Sequence, residues 1–394
     1  MFPCAKNLSI FGLTLGFLSG AAGFGHAQSL DVSVSSSTAA PGAAQRLDYV
    51  GATPLPVPKS DFSDADAQKA MQSALTPAAA PFSLKIPGAA RGDTGSGQKN
   101  VVQLGSPKPQ PAAPPTNVAL DFGTANLPFS TARADLDPAQ TNEQYPYRAS
   151  GKLFFRIGAQ DFICSAALIK KGLAVTAAHC VTKFGSKGYF SDWQFIPGYR
   201  DGVAPFGIWT AAQAFVLTSY FDGTDSCQQT GVVCNNDIAI LALNPQKDAA
   251  GKDFYAGAST GWYSFGWDKT GFASQKITHV TQIGYPACLD NGGMMERNDA
   301  QGAIDPAHSD NTIIGSLMCG GSSGGSWLIN FGIRPTLTGT TLGSAPVQNQ
   351  VVGVTSWGST DNAVKWMGAS PFLSTNIVVL VNNACKAFPE ACKD

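Results

Sequence analysis

The chain has 394 residues, of which 44% are hydrophobic and only 13% charged, with a formal net charge of -1. That length points to more than one structural unit, and the apolar content is sufficient for real cores. A charge balance so close to zero supplies no field for nucleic acid or for an anionic membrane surface, so neither is an expected partner.

At the N-terminus, Lys6 precedes an apolar run from Leu8 to Phe24 and a small-residue exit at Gly25-His26-Ala27. This is the pattern of a cleavable export signal, expected over 1–27. The run is short for a bilayer span and is interrupted by Gly12, Gly16, Gly20 and Gly23. The mature chain is therefore expected to be secreted, in a periplasm or outside the cell, without membrane attachment. Loss of Cys4 with the signal leaves eight of nine cysteines, an even set suited to disulfide pairing.

Residues 28–140 are rich in Ala, Pro, Ser and Gly, and the prolines of 107–115 sustain neither helix nor strand. Few large apolar side chains occur here, so the stretch has little to bury by itself. Two readings stay open: a disordered linker, or a pro-segment removed on maturation. A short helix is expected over Asp64–Ala74.

From about Tyr145 the texture changes to short apolar runs between Gly, Asn and Asp turns. Strands are expected at Leu153–Ile157, Leu173–Thr176, Ile238–Leu243, Ile277–Ile283 and Val351–Val354, the spacing of an all-β sandwich or barrel. Asn376–Val381 reads as either helix or strand. Two units are expected, 141–255 and 256–394.

Three short strings carry candidate chemistry. Cys319-Gly320-Gly321-Ser322-Ser323-Gly324-Gly325 places a serine inside a glycine run. The glycines permit a sharp turn that aims the Gly321 and Ser323 amides at one point, as an oxyanion requires. By itself the string also reads as a flexible loop. Of the four histidines, His179 in Thr176-Ala177-Ala178-His179-Cys180 has the most defined setting, directly after an apolar run; His279 and His308 have none comparable. Asp237 heads Asp237-Ile238-Ala239-Ile240-Leu241, a run that reads as a buried strand, where a carboxylate needs a partner.

Together the three strings resemble the signatures of the trypsin/chymotrypsin-like serine proteases, in the order His, Asp, Ser, with the bacterial branch related to glutamyl endopeptidases the nearest in pattern. The resemblance covers roughly 145–381. It implies two antiparallel six-stranded β-barrels, the first carrying His179 and Asp237 and the second Ser323, with the site between them. It also implies the roles: Ser323 attacks a peptide carbonyl, His179 shuttles the proton, Asp237 orients His179, and the Gly321 and Ser323 amides hold the oxyanion. Ser356 and Gly358 would pair with an extended peptide, with Trp357 walling the pocket, and Leu317 and Met318 fall among the expected substrate-binding residues. The Cys164–Cys180 disulfide follows from the same resemblance. Chain proximity suggests Cys227–Cys234, Cys288–Cys319 and Cys385–Cys392.

Several departures narrow the reading. Ser322 stands where vertebrate trypsins carry Asp, and no Ile-Val-Gly-Gly start precedes Cys164, which argues against activation by a freed N-terminal amine. Leu317 replaces the aspartate of trypsin specificity, and Thr355 the histidine of glutamyl specificity, leaving an apolar, small or uncharged side chain as the expected preference. The acidic loops Asp222–Asp225 and Asp290–Asp310 read as solvated turns, with calcium a minor alternative; no cofactor or metal is expected. A lipase-type elbow is excluded because no histidine follows Ser323. Expected partners are protein or peptide substrates, met by a monomer. A catalytically silent binding module on the same fold is the alternative function. Because a histidine base must be neutral, activity is expected to fall below about pH 6.5.

Overall fold

A computed structural model describes residues 31–36, 47–75, 88–108, 128–135, 139–272, 276–304, 310–332, 347–361 and 364–393. The expected export signal lies outside them, as does His308.

Two six-stranded antiparallel barrels account for most of the described chain. The first is built from β1 (Ser150–Ile157), β2 (Gln160–Lys170), β3 (Leu173–Thr176), β4 (Ser191–Pro197), β5 (Trp209–Leu217) and β6 (Ala239–Leu243). It closes where β5 pairs with β6. The second comprises β7 (Ile277–Gly284), β8 (Glu296–Ile304), β9 (Thr312–Gly315), β10 (Ser326–Ile329), β11 (Gln350–Ser359) and β12 (Trp366–Pro371). It closes where β10 pairs with β11. Closure removes unpaired strand edges, and the inward side chains fill each barrel. Leu153, Leu168, Trp193, Trp209 and Leu241 share one buried cluster in the first; Val280, Ile314, Trp327, Ile329 and Met367 share another in the second.

Asn376–Val381 resolves as helix. α1 (Ile377–Ala387) starts at Asn376, whose side chain accepts from the Ile377 amide, and buries Ile377, Leu380, Val381 and Ala384. That 3- and 4-residue spacing makes one apolar stripe, which packs on β5 and β6. The Cys385–Cys392 disulfide ties its far end.

The region expected as an acidic loop at Asp290–Asp310 contains β8, paired with β7 along its whole length from Ile277↔Ala303 to Gly284↔Glu296. The strand opens with four consecutive polar residues, Glu296 to Asp299. Arg297 binds Asp299 at 2.7 Å, and Thr281 donates to the same carboxylate at 2.6 Å. A polar run stabilised by cross-strand pairing hid the strand from a reading based on apolar runs.

The described parts of 28–140 lie on the barrels as an arm. Val32–Val34 adds to β5, Thr53–Pro54 to β2, Lys59–Ser60 to β11, and Phe129–Arg133 to β8. A helix, Asp64–Leu75, buries Ala67, Ala70 and Met71 in a cluster with Trp357 and Trp366. The arm has too few apolar residues for its own core, so Leu47, Tyr49 and Val57 are buried against the barrels instead. Among the described residues, no helix is long and apolar enough to cross a membrane.

Candidate active site

His179 and Asp237 meet because β3 and β6 are neighbours with Thr176 opposite Ala239. His179 follows the first of these by three residues and Asp237 precedes the second by two, so both emerge at the same barrel end. The histidine sits in a single 3-10 turn, Ala178–Cys180, which the Cys164–Cys180 disulfide fastens to β2. Its Nδ1 lies 2.7 Å from Asp237 Oδ2, and its backbone amide donates to Oδ1 at 2.8 Å. A carboxylate only accepts, so Nδ1 carries a proton and donates it to Asp237.

The carboxylate has further partners. Ser356 Oγ, on β11 of the second barrel, donates to Asp237 Oδ2 at 2.5 Å. Tyr220 is wholly buried nearby; burial first, then the charges of Asp237 and Asp225, push its phenol well above the ordinary range. Asp225 fixes the preceding residue by accepting from the Asn236 amide at 3.1 Å and from Asn236 Nδ2 at 2.7 Å. Burial raises the Asp225 carboxyl to about 6, with the Asn236 bonds pulling the other way. Asp222 is taken up by Thr224, within the same turn. The acidic loop thus supports Asp237 from behind.

The glycine-rich loop around Ser323 is locked onto the first barrel. Ser165 N–H donates to Ser323 O at 2.7 Å, and Ser165 Oγ donates to Gly321 O at 2.9 Å while accepting from Tyr285 N–H. Gly324 N–H donates to Thr355 O at 2.8 Å. Gly321 and Gly324 have φ of +93° and +76°. A Cβ on Gly324 would lie 2.0 Å from Thr176 Oγ1 and 2.5 Å from Ser165 O, so this approach requires glycine. The Ser322 hydroxyl turns back on its own loop to Cys319 O, 2.7 Å away. Ser323 is wholly buried, and neither Ser323 Oγ nor His179 Nε2 has a hydrogen-bond partner.

Beside the loop is a cavity of about 300 Å³. Leu317, Met318, Val364, Trp366 and Met367 give it apolar walls; Gly358 and Ser359 form one side, and Asp361 and Lys365 also line it. Leu317, Met318 and Gly358, expected among the substrate-binding residues, all line this cavity. Ser356 and Trp357 do not line it. Ser356 turns its hydroxyl to Asp237, and the Trp357 indole lies over Gly368, near Phe62 and Trp366, donating to Asn311 Oδ1 at 2.7 Å. Thr355 Oγ1 is engaged by Gln282 Nε2 and Trp327 Nε1, both at 2.9 Å. Sequence reasoning missed Ser165 and the second role of Ser356, since a lone serine carries no local signal of its partner.

All four disulfides fall on the expected pairs, Cys164–Cys180, Cys227–Cys234, Cys288–Cys319 and Cys385–Cys392. The family model for trypsin matches residues 136–370, more than half of the chain. The chain belongs to the trypsin family. This family member is a serine endopeptidase, and its substrates are proteins or peptides. No curated protein sequence matches it. Among solved structures it is similar to the protease Anisep of Arthrobacter nicotinovorans, at 23% identity and a TM-score of 0.47, over 61% of this chain and 96% of that one. The thermostable serine protease AL20 from an extremophilic microorganism gives 21% and 0.47, over 60% and 97%. A Glu endopeptidase gives 16% and 0.44, over 65% and 96%.

Proposed function

We propose that this chain is an exported endopeptidase in which Ser323 is the nucleophile, His179 the general base and Asp237 its orienting group. The reading is carried by one observation: His179 is tied through Nδ1 to Asp237, while Nε2 and the Ser323 hydroxyl are both buried without partners. Leaving two buried polar atoms unpaired costs about 1–3 kcal/mol each, a cost expected where chemistry is done.

In the first half-reaction, Ser323 Oγ bonds to the carbonyl carbon as its proton passes to His179 Nε2. The imidazolium is stabilised by Asp237, and the amides of Gly321 and Ser323 face the oxyanion. Collapse breaks the C–N bond, and His179 returns the proton to the leaving nitrogen. Water then repeats the sequence on the ester, releasing the acid and restoring Ser323. The apolar walls at Leu317, Met318 and Met367 favour an apolar side chain beside the cleaved bond. The four disulfides support an oxidising compartment, hence export.

The test is casein cleavage with fluorophosphonate labelling of protein freed of its arm, residues 28–135. Labelling at Ser323 and loss of both signals in Ser323→Ala are expected. Folded, arm-free protein that neither cleaves nor labels would establish the silent binding module instead.

A further inference from the structure

The stretch from Ala52 to Ser60 passes directly over the candidate site. Thr53 and Pro54 run parallel to Phe162 and Ile163 of β2, and the Leu55 amide donates to Ile163 O at 3.0 Å. The Leu55 carbonyl then accepts from the Gly321 amide at 3.2 Å. Val57 is buried among the cavity residues of the second barrel, against Gly358. The Pro58 carbonyl accepts from the Gly358 amide at 2.9 Å, and the Ser60 carbonyl from Thr360 at 2.9 Å. Leu55 packs toward the first barrel and Val57 toward the second, so alternate side chains clamp the two halves.

Two backbone donors assigned to a substrate, those of Gly321 and Gly358, are therefore already taken by carbonyls of this chain. Val57 forms part of the wall of the apolar cavity, and Ser323 is wholly buried. Pro56 and Pro58 have no N–H, so neither can donate to the groove, and the ladder is completed only on either side of them, at Thr53–Pro54 and Lys59–Ser60. The tether adds to this docking by keeping the segment at about millimolar effective concentration.

We propose that residues 53–60 are a tethered inhibitor of the chain's own site, with Val57 walling off the substrate cavity beside Gly358 and the Leu55 carbonyl on the oxyanion-hole amide of Gly321. This rests on the peptidase reading and adds its regulation. The site opens when the segment is displaced or cut away, and what replaces it is an extended peptide carrying an apolar side chain.

The experiment compares the full chain with Val57→Asp and Val57→Ala, following the rate of fluorophosphonate labelling and hydrogen exchange at the Gly321 and Gly358 amides. A carboxylate forced into the apolar cavity should expel the segment, giving labelling faster by about tenfold or more, with an intermediate gain for alanine. Both amides should lose protection only in the variants. A synthetic peptide spanning 52–61 should slow the aspartate variant again, and the same peptide with aspartate in place of valine should not. Equal, measurable labelling of all three proteins would overturn the inhibitor while leaving the peptidase intact. Absence of labelling in Val57→Asp, despite freely exchanging amides, would overturn the peptidase reading and the regulation with it. Circular dichroism and thermal melting establish that the variants are folded.

Discussion

Ser356 Oγ on the second barrel donates to Asp237 Oδ2 on the first, 2.5 Å away, at the same oxygen that binds His179 Nδ1. The bond joins β11, which carries groove residues, to the carboxylate that sets the imidazole. It also makes the His179–Asp237 geometry depend on how the two barrels are docked.

Removing that hydroxyl should therefore weaken catalysis without dismantling the site. Ser356→Ala is expected to lower kcat by about tenfold, the worth of one charge-assisted hydrogen bond, with KM for a peptide little changed. Asp237→Asn should lower kcat by about 10⁴-fold, because an amide there can hold the ring in the wrong tautomer. Steady-state kinetics on arm-free protein separate the two; equal losses would show that Ser356 acts on more than orientation.

This pairing also marks the limit of what the sequence disclosed. His179, Asp237 and Ser323 stand out because each lies in a distinctive string, and Leu317 and Met318 could be placed by counting from Ser323. Ser356 was legible as part of the Ser-Trp-Gly strand, but which way its hydroxyl points depends on β11 meeting a residue 119 positions earlier. Trp357 was expected to wall the pocket; Phe62, Trp366 and the arm helix instead surround its ring.

A second expectation concerns Lys152, on β1. It is almost wholly buried; its ammonium donates to Gly292 O at 2.8 Å and lies 4.6 Å from the Tyr199 ring centre and 5.1 Å from that of Phe154. Burial lowers its pKa to about 7, with Asp201 opposing. The unfolded chain holds this proton up to about pH 10.4, so unfolding takes up a proton between the two values. Glu296, whose carboxyl is raised by burial to about 8, opposes this up to that pH, so stability should rise with pH from about 8 to about 9.5, at up to about 1.4 kcal/mol per unit. In Lys152→Met that rise should vanish. Urea unfolding at a series of pH values measures it, below the range where buried Tyr220, Tyr263 and Tyr285, whose phenols are raised by burial, act in the opposite direction.

Third, the disulfides should differ in access to reductant. Cys288 is exposed, whereas Cys164 and Cys180 are wholly buried. Under mild reduction Cys288–Cys319 should open well before Cys164–Cys180, read by alkylation and peptide mass spectrometry. Because Cys319 heads the nucleophile loop, activity of arm-free protein should fall in step with alkylation of Cys319. Retention of full activity after that bond opens would show that Ser165 and Thr355 hold the loop unaided.

By itself, the sequence pointed to the barrel class, to His179, Asp237 and Ser323 as the candidate residues, and to all four disulfide pairs. Those rest on local signals: apolar runs of strand length, glycines where φ must be positive, and cysteines close along the chain or in recognisable settings. Tertiary structure alone decided that the described parts of a Pro- and Ala-rich arm pack on the barrels, and that its Leu55 and Val57 meet Gly321 and Gly358. An arm without its own core takes its conformation from the surface it covers. The decisive contacts are carbonyls and small side chains meeting residues hundreds of positions away, which no local pattern encodes.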